Sequence, residues 1–176
     1  MTKTNSTILD IMNVLFWMAF VGLSINAAAM LISFGVTLFS GIDAAKNLYM
    51  TDSDLFILYE QNKLHYIQIV SLMVVLMILK AHIAYLVVQI FYTFNLNRPF
   101  TAKVTKLVSA ISDTAVAAGI LAIIGEQYCE RLTNRGATIP VDWSAGEILF
   151  FAGVLYIIAQ VFKRGTELQV ENDLTV

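Results

Sequence analysis

Four stretches of this chain, Ile11–Phe39, Tyr66–Phe94, Leu107–Gly125 and Gly146–Phe162, each carry at most one Asp, Glu, Lys or Arg. A helix needs roughly 20 mostly apolar residues to cross the hydrocarbon of a bilayer. The first two stretches exceed that and are expected to tilt or project. In lipid a helix satisfies its backbone donors and acceptors within itself, so long uncharged runs are read as spans. The expected fold is all-α, a polytopic membrane protein with a four-transmembrane-helix bundle forming a single domain over residues 1–176 and a short tail at 163–176. Composition points the same way: 58% of the 176 residues are apolar and 14% charged, against about 25% charged in a typical soluble domain. The net charge of −2 offers no basic patch for phosphates, so no direct nucleic-acid ligand is expected.

The first run has some features of a signal peptide, with Lys3 ahead of it and Ala27-Ala28-Ala29 as a small-residue site. It continues through Leu31, Phe34, Leu38 and Phe39, beyond the roughly 7–15 apolar residues of a signal segment, and an uncleaved helix is the expectation. Orientation is read from lysine and arginine placement. The connection Asn95–Lys106 carries Arg98, Lys103 and Lys106 without an acid, and the fourth run ends in Lys163-Arg164. The other two connections, with Asp43, Lys46, Asp52, Asp54, Glu60 and Lys63, and with Glu126, Glu130, Arg131, Arg135, Asp142 and Glu147, each sum to −2. Positive charge stays inside, so both termini are expected in the cytoplasm. Pro99 should break the second helix and Thr101 cap the third. Thr51-Asp52-Ser53-Asp54 offers caps for the segment leading into the second.

Polar groups at membrane depth are costly and mark candidate sites: Asn26, Lys80, His82, Gln89, Asp113 and Gln160. At 100° per residue, Gln68, Ser71, His82, Tyr85, Gln89 and Tyr92 share one face of the second helix. Gly22, Asn26, Ala29, Ser33 and Ser40 share one face of the first; Ser109, Asp113, Ala117 and Ile120 one of the third; Gly146, Gly153, Tyr156 and Gln160 one of the fourth. Each stripe is expected to face its neighbours. Two readings stay open: glue between helices, or a polar cavity or proton path centred on His82 and Asp113. Counted from the ends of the apolar runs, Asp113 falls about 10 Å nearer the cytoplasm than Lys80 and Asn26. Lys80 and His82, two residues and 200° apart, cannot serve one interface.

His65 and His82 lie about 25 Å apart on one helix and cannot share a metal. A single cysteine, Cys129, excludes an intrachain disulfide. No phosphate-binding glycine loop, zinc-binding helix motif or nucleophile elbow is present, so the chain is read as non-enzymatic and without cofactor. Small-residue faces leave a homo-oligomer open.

The segments Phe151-Ala152-Gly153-Val154, Ile158–Gly165, Glu167-Leu168-Gln169 and Glu171-Asn172-Asp173-Leu174-Thr175-Val176, with Leu79-Lys80-Ala81 and Asn95–Phe100, resemble a family of small bacterial four-helix membrane proteins of unknown function. The resemblance covers the second to fourth helices and the tail. Where that family often has an aromatic after Lys-Ala, this chain has His82, so the resemblance assigns that histidine no shared role. Members are commonly encoded beside a small helix-turn-helix transcription regulator. The resemblance therefore implies an inner-membrane protein that holds such a regulator at the membrane surface. Lys163, Arg164, Glu167, Glu171, Asn172, Asp173, Leu174 and Val176 would form the contact. A transporter or channel component, and a structural subunit of a membrane complex, are the competing expectations.

Overall fold

The computed structural model describes residues 3–40, 55–95, 98–137, 139 and 141–174, which are all-helical apart from short connections. Helix α1 spans Lys3–Ser40, the short α2 Phe56–Gln61, α3 Lys63–Thr93, α4 Ala102–Thr133 and α5 Ala145–Leu174. The four long helices have the length and apolar character of membrane spans. Their 38, 31, 32 and 30 residues reach about 45–57 Å, so all of them extend beyond the roughly 30 Å of hydrocarbon.

Local sequence sets the helix ends. Asn62 caps α3, its side chain accepting from the Leu64 and His65 amides at 2.9 and 3.4 Å. The earlier cap candidates at 51–54 lie outside the described residues. Thr101 caps α4 as expected, its hydroxyl accepting from Val104 N–H at 3.3 Å. The chain then leaves α4 through Gly136 at φ 93. There the Ala137 and Gly136 amides return to the Leu132 and Thr133 carbonyls at 3.1 and 2.9 Å. This backward pairing needs a left-handed residue, which glycine adopts without strain.

The long helices pack in sequence order, α1 on α3, α3 on α4 and α4 on α5, with α2 on α3. Among the described residues no close backbone approach joins α1 to α4 or α5, or α3 to α5. The bundle is therefore open, and burial reflects it. In their most apolar stretches the two middle helices are 44% and 39% buried, the flanking ones 11% and 17%. Aromatic rings fasten α1 to α3: Phe16 meets Phe91 at 5.8 Å and Phe20 meets Tyr85 at 5.5 Å. Alongside them, Trp17 Nε1 donates to the Tyr92 hydroxyl at 3.0 Å.

The α4–α5 seam is built differently. Val104, Val108, Ile111, Ala115, Ala118, Ala122, Gly125, Cys129 and Leu132 are buried in α4, alternating steps of four and three residues in the manner of a coiled-coil seam. Buried Ala145, Ala152 and Ala159 answer from α5 at seven-residue spacing. A Cβ on Gly125 would stand 2.5 Å from the Trp143 ring. That ring also donates its Nε1–H to Cys129 Sγ at 3.2 Å.

Two expectations are corrected. The stripes assigned to face neighbours on the third and fourth helices point outward instead, with Asp113, Ala117 and Ile120 and also Gly146, Gly153, Tyr156 and Gln160 exposed. Polarity was the wrong guide there. Alanines adjacent in sequence to those glycines let the backbones approach, and dispersion between close backbones drives association in lipid. Second, residues 163–174, expected as a short tail after the fourth span, are helical and form the last three turns of α5.

Candidate functional site

The polar residues at membrane depth become interpretable once the register of α3 against α4 is known. Tyr128 of α4 sets it: its hydroxyl lies 2.6 Å from His65 Nδ1 and donates to Gln68 Oε1. Asp113 stands fifteen residues before Tyr128, and the same step along antiparallel α3 leads from 65–68 to 80–83. Counting from the helix ends agrees, because His82 is eleven residues before Thr93 and Asp113 eleven after Ala102. Both are thus about 16 Å from those ends. The offset of about 10 Å between Asp113 and Lys80 is thereby withdrawn, since the contact of Tyr128 with His65 and Gln68, and not the end of the apolar run at Leu107, sets which turns of α3 and α4 stand level.

Depth alone does not join them. Lys80 is half-buried, while His82 and Asp113 are exposed on the protein surface. The Lys80 and Asp113 side chains form no ion pair. Ser71 lies eleven residues from His82, and Arg131 eighteen from Asp113. These spacings return each pair to one helix face. Ser71 and Arg131 both line a cavity of about 510 Å³ between α3 and α4. His82 and Asp113 therefore continue the wall of that groove toward mid-membrane, and Lys80 faces away from it. Half-buried Gln89, seven residues on from His82, shares its face.

The remaining candidates are not brought into this groove. Asn26 is half-buried on α1 and Gln160 exposed on α5, helices that flank the bundle on opposite sides. Conversely, the cluster of His65, Gln68 and Tyr128 was missed as a unit. Its signal was available, since Tyr128 and Arg131 belong to a helix that outlasts its apolar run, but only the register pairs them with α3.

At the other end of the bundle, α5 extends beyond its apolar run. Thr166 bonds the Phe162 carbonyl at 3.0 Å and shares a 2.6 Å hydroxyl contact with Thr105 of α4. Phe100 packs on Phe162 at 5.3 Å between ring centres. These contacts seat one side of the extension against the start of α4. Lys163, Arg164, Glu167, Leu168, Val170, Glu171 and Asn172 are exposed. Arg164 pairs with Glu167 at 2.9 Å, a surface contact worth at most about 1 kcal/mol. Asp173 and Leu174 complete the helix; Val176 lies outside the described residues.

Four long apolar helices and no strand among the described residues define a multi-pass membrane protein of the four-helix type. The chain belongs to the family described as Protein of unknown function (DUF2975), whose model matches residues 41–176. That match takes in α2 to α5 and leaves α1 outside it. No curated protein and no solved structure matches the chain.

Proposed function

We propose that this is a non-enzymatic anchor in the bacterial inner membrane, with both termini in the cytoplasm, that holds a small helix-turn-helix regulator through its C-terminal helix. The observation that carries the reading is the continuity of α5, which runs unbroken from the membrane span through Leu174. A partner would meet a basic collar, Lys163 and Arg164, then exposed acids Glu167 and Glu171 flanking apolar Leu168 and Val170. Acidic groups on a rigid helix complement the basic face that such regulators turn to DNA, and charge complementarity of this kind governs encounter and register. The placement of lysine and arginine supports a cytoplasmic location for this end. The test is affinity capture from native membranes with the full chain and with a form lacking residues 167–176. The full chain should retain the regulator and the shortened one should lose it while still inserting; equal capture would contradict the reading.

One observation favours a second reading, a small transporter or channel component. His82 and Asp113 share a depth and a side of the α3–α4 groove, so a proton or cation path along that groove would meet both. Flux into proteoliposomes that Asp113→Asn abolishes would support it. Flux unaffected by that change, or none for protons and alkali cations, would eliminate it.

A further inference from the structure

We propose that the groove between α3 and α4, at the end carrying α2, binds one anionic amphiphile: a phosphate or carboxylate head on an aliphatic chain. The cavity holds about 510 Å³, within the range of small-ligand sites. Its lining is graded along the membrane normal. Leu72, Ile123 and Ile124 form the part nearer mid-membrane, and Gln127 and Arg131 of α4 close the part nearer the surface. Arg131 stands six residues past Gly125, the end of the apolar run, or about 9 Å farther along the helix. That is headgroup depth. Its guanidinium is exposed and has no carboxylate partner among the described residues. Arginine at such a position offers a planar set of donors matched to phosphate or carboxylate oxygens.

The opposite wall is fixed in advance. Gln68 accepts from Tyr128, Tyr128 also meets His65, and Ser71 spends its hydroxyl on the Gln68 carbonyl at 2.8 Å. The Tyr128 bonds tie α3 to α4 at this level and the Ser71 bond fixes a side chain within α3, so the protein's own contacts order this wall and little ordering remains to be done on binding. A soluble anion would leave the Leu72, Ile123 and Ile124 surface empty. A neutral amphiphile would leave Arg131 unpaired. Only a ligand with both parts satisfies the whole lining. This site stands apart from the C-terminal helix and does not depend on the anchor reading.

The test is native mass spectrometry of the full chain released from nanodiscs containing phosphatidylglycerol and phosphatidylcholine, with oleate and glycerol phosphate as competitors. One phosphatidylglycerol should be retained in preference to phosphatidylcholine. Arg131→Gln should lower that retention about tenfold, the effect of losing one charge-assisted contact, and Arg131→Lys should restore part of it. Ser71→Phe, which fills the cavity from the other helix, should lower retention with Arg131 intact. Displacement by oleate would identify a free fatty acid as the better ligand within the same class; resistance to oleate would identify phospholipid. Displacement by glycerol phosphate, no lipid preference, or equal retention by wild type and Arg131→Gln would overturn the proposal.

Discussion

The two seams of α4 differ in how they hold helices together. Toward α5 the contact is made of alanine and glycine, with the Trp143 ring laid on Gly125 and buried alanines every seven residues. Toward α3, at the α2 end, tyrosine, glutamine and histidine brace the helices and leave a cavity between them. Small residues let backbones close, and packing then supplies the energy. Long polar side chains bridge a wider gap through a few hydrogen bonds. The first seam tolerates no added volume, whereas the second has room for a ligand. One helix thus presents a structural face and a receptive one, separated by about a third of a turn.

Gly125→Leu attacks the first seam at its tightest point. With the Trp143 ring 2.5 Å from where a Cβ would stand, the helices must separate, at a cost of about 3 kcal/mol, the upper end of the overpacking range. A large fall in melting temperature in detergent is expected. Next comes a pair of adjacent positions. Ala152→Leu should destabilise by about 1–3 kcal/mol because Ala152 is buried in the seam. Gly153→Leu, at an exposed residue with nothing within 4 Å of its Cβ position, should leave the melting temperature unchanged or raised. Equal effects at the two positions would place the seam elsewhere. Tyr128→Phe tests the braced seam. It removes both hydroxyl contacts, each worth about 0.6–1.7 kcal/mol in a membrane, and should loosen α3 from α4 by hydrogen exchange at 65–72 more than it lowers the melting temperature. The smallest effect is assigned to Arg164→Ala, which breaks a surface ion pair and should cost no more than about 1 kcal/mol.

Much of this architecture is legible in the sequence, because in lipid the hydrocarbon thickness and backbone satisfaction leave few solutions. Four spans and the Thr101 cap follow from local rules, while α3 already ends at Thr93, before the break expected at Pro99. The helix ends do not, since α4 and α5 continue past their apolar runs into Gln127–Thr133 and Lys163–Leu174. Hydropathy falls there while nothing breaks the helix. The seam is present in the sequence as the four-and-three spacing of Val104 to Leu132, while the polar stripes of α4 and α5 lie on other faces. The level of Asp113 is set by which turns of α3 and α4 meet, and counting along an apolar run does not reveal it. The cavity at Arg131 is a tertiary feature, arising from which turn of α3 meets which turn of α4, and no single helix reveals it.

The claim on which both the groove and the second functional reading rest is the register that sets Asp113 level with His82 on one side of the α3–α4 groove. Paired-cysteine cross-linking with a bifunctional thiol reagent about as long as the 8–10 Å between packed helix axes tests it directly, in the full chain with Cys129→Ala. The pair His82→Cys with Asp113→Cys should join efficiently in membranes, and Lys80→Cys with Asp113→Cys should not. Preferential cross-linking of the pair at 80 and 113 would contradict the account.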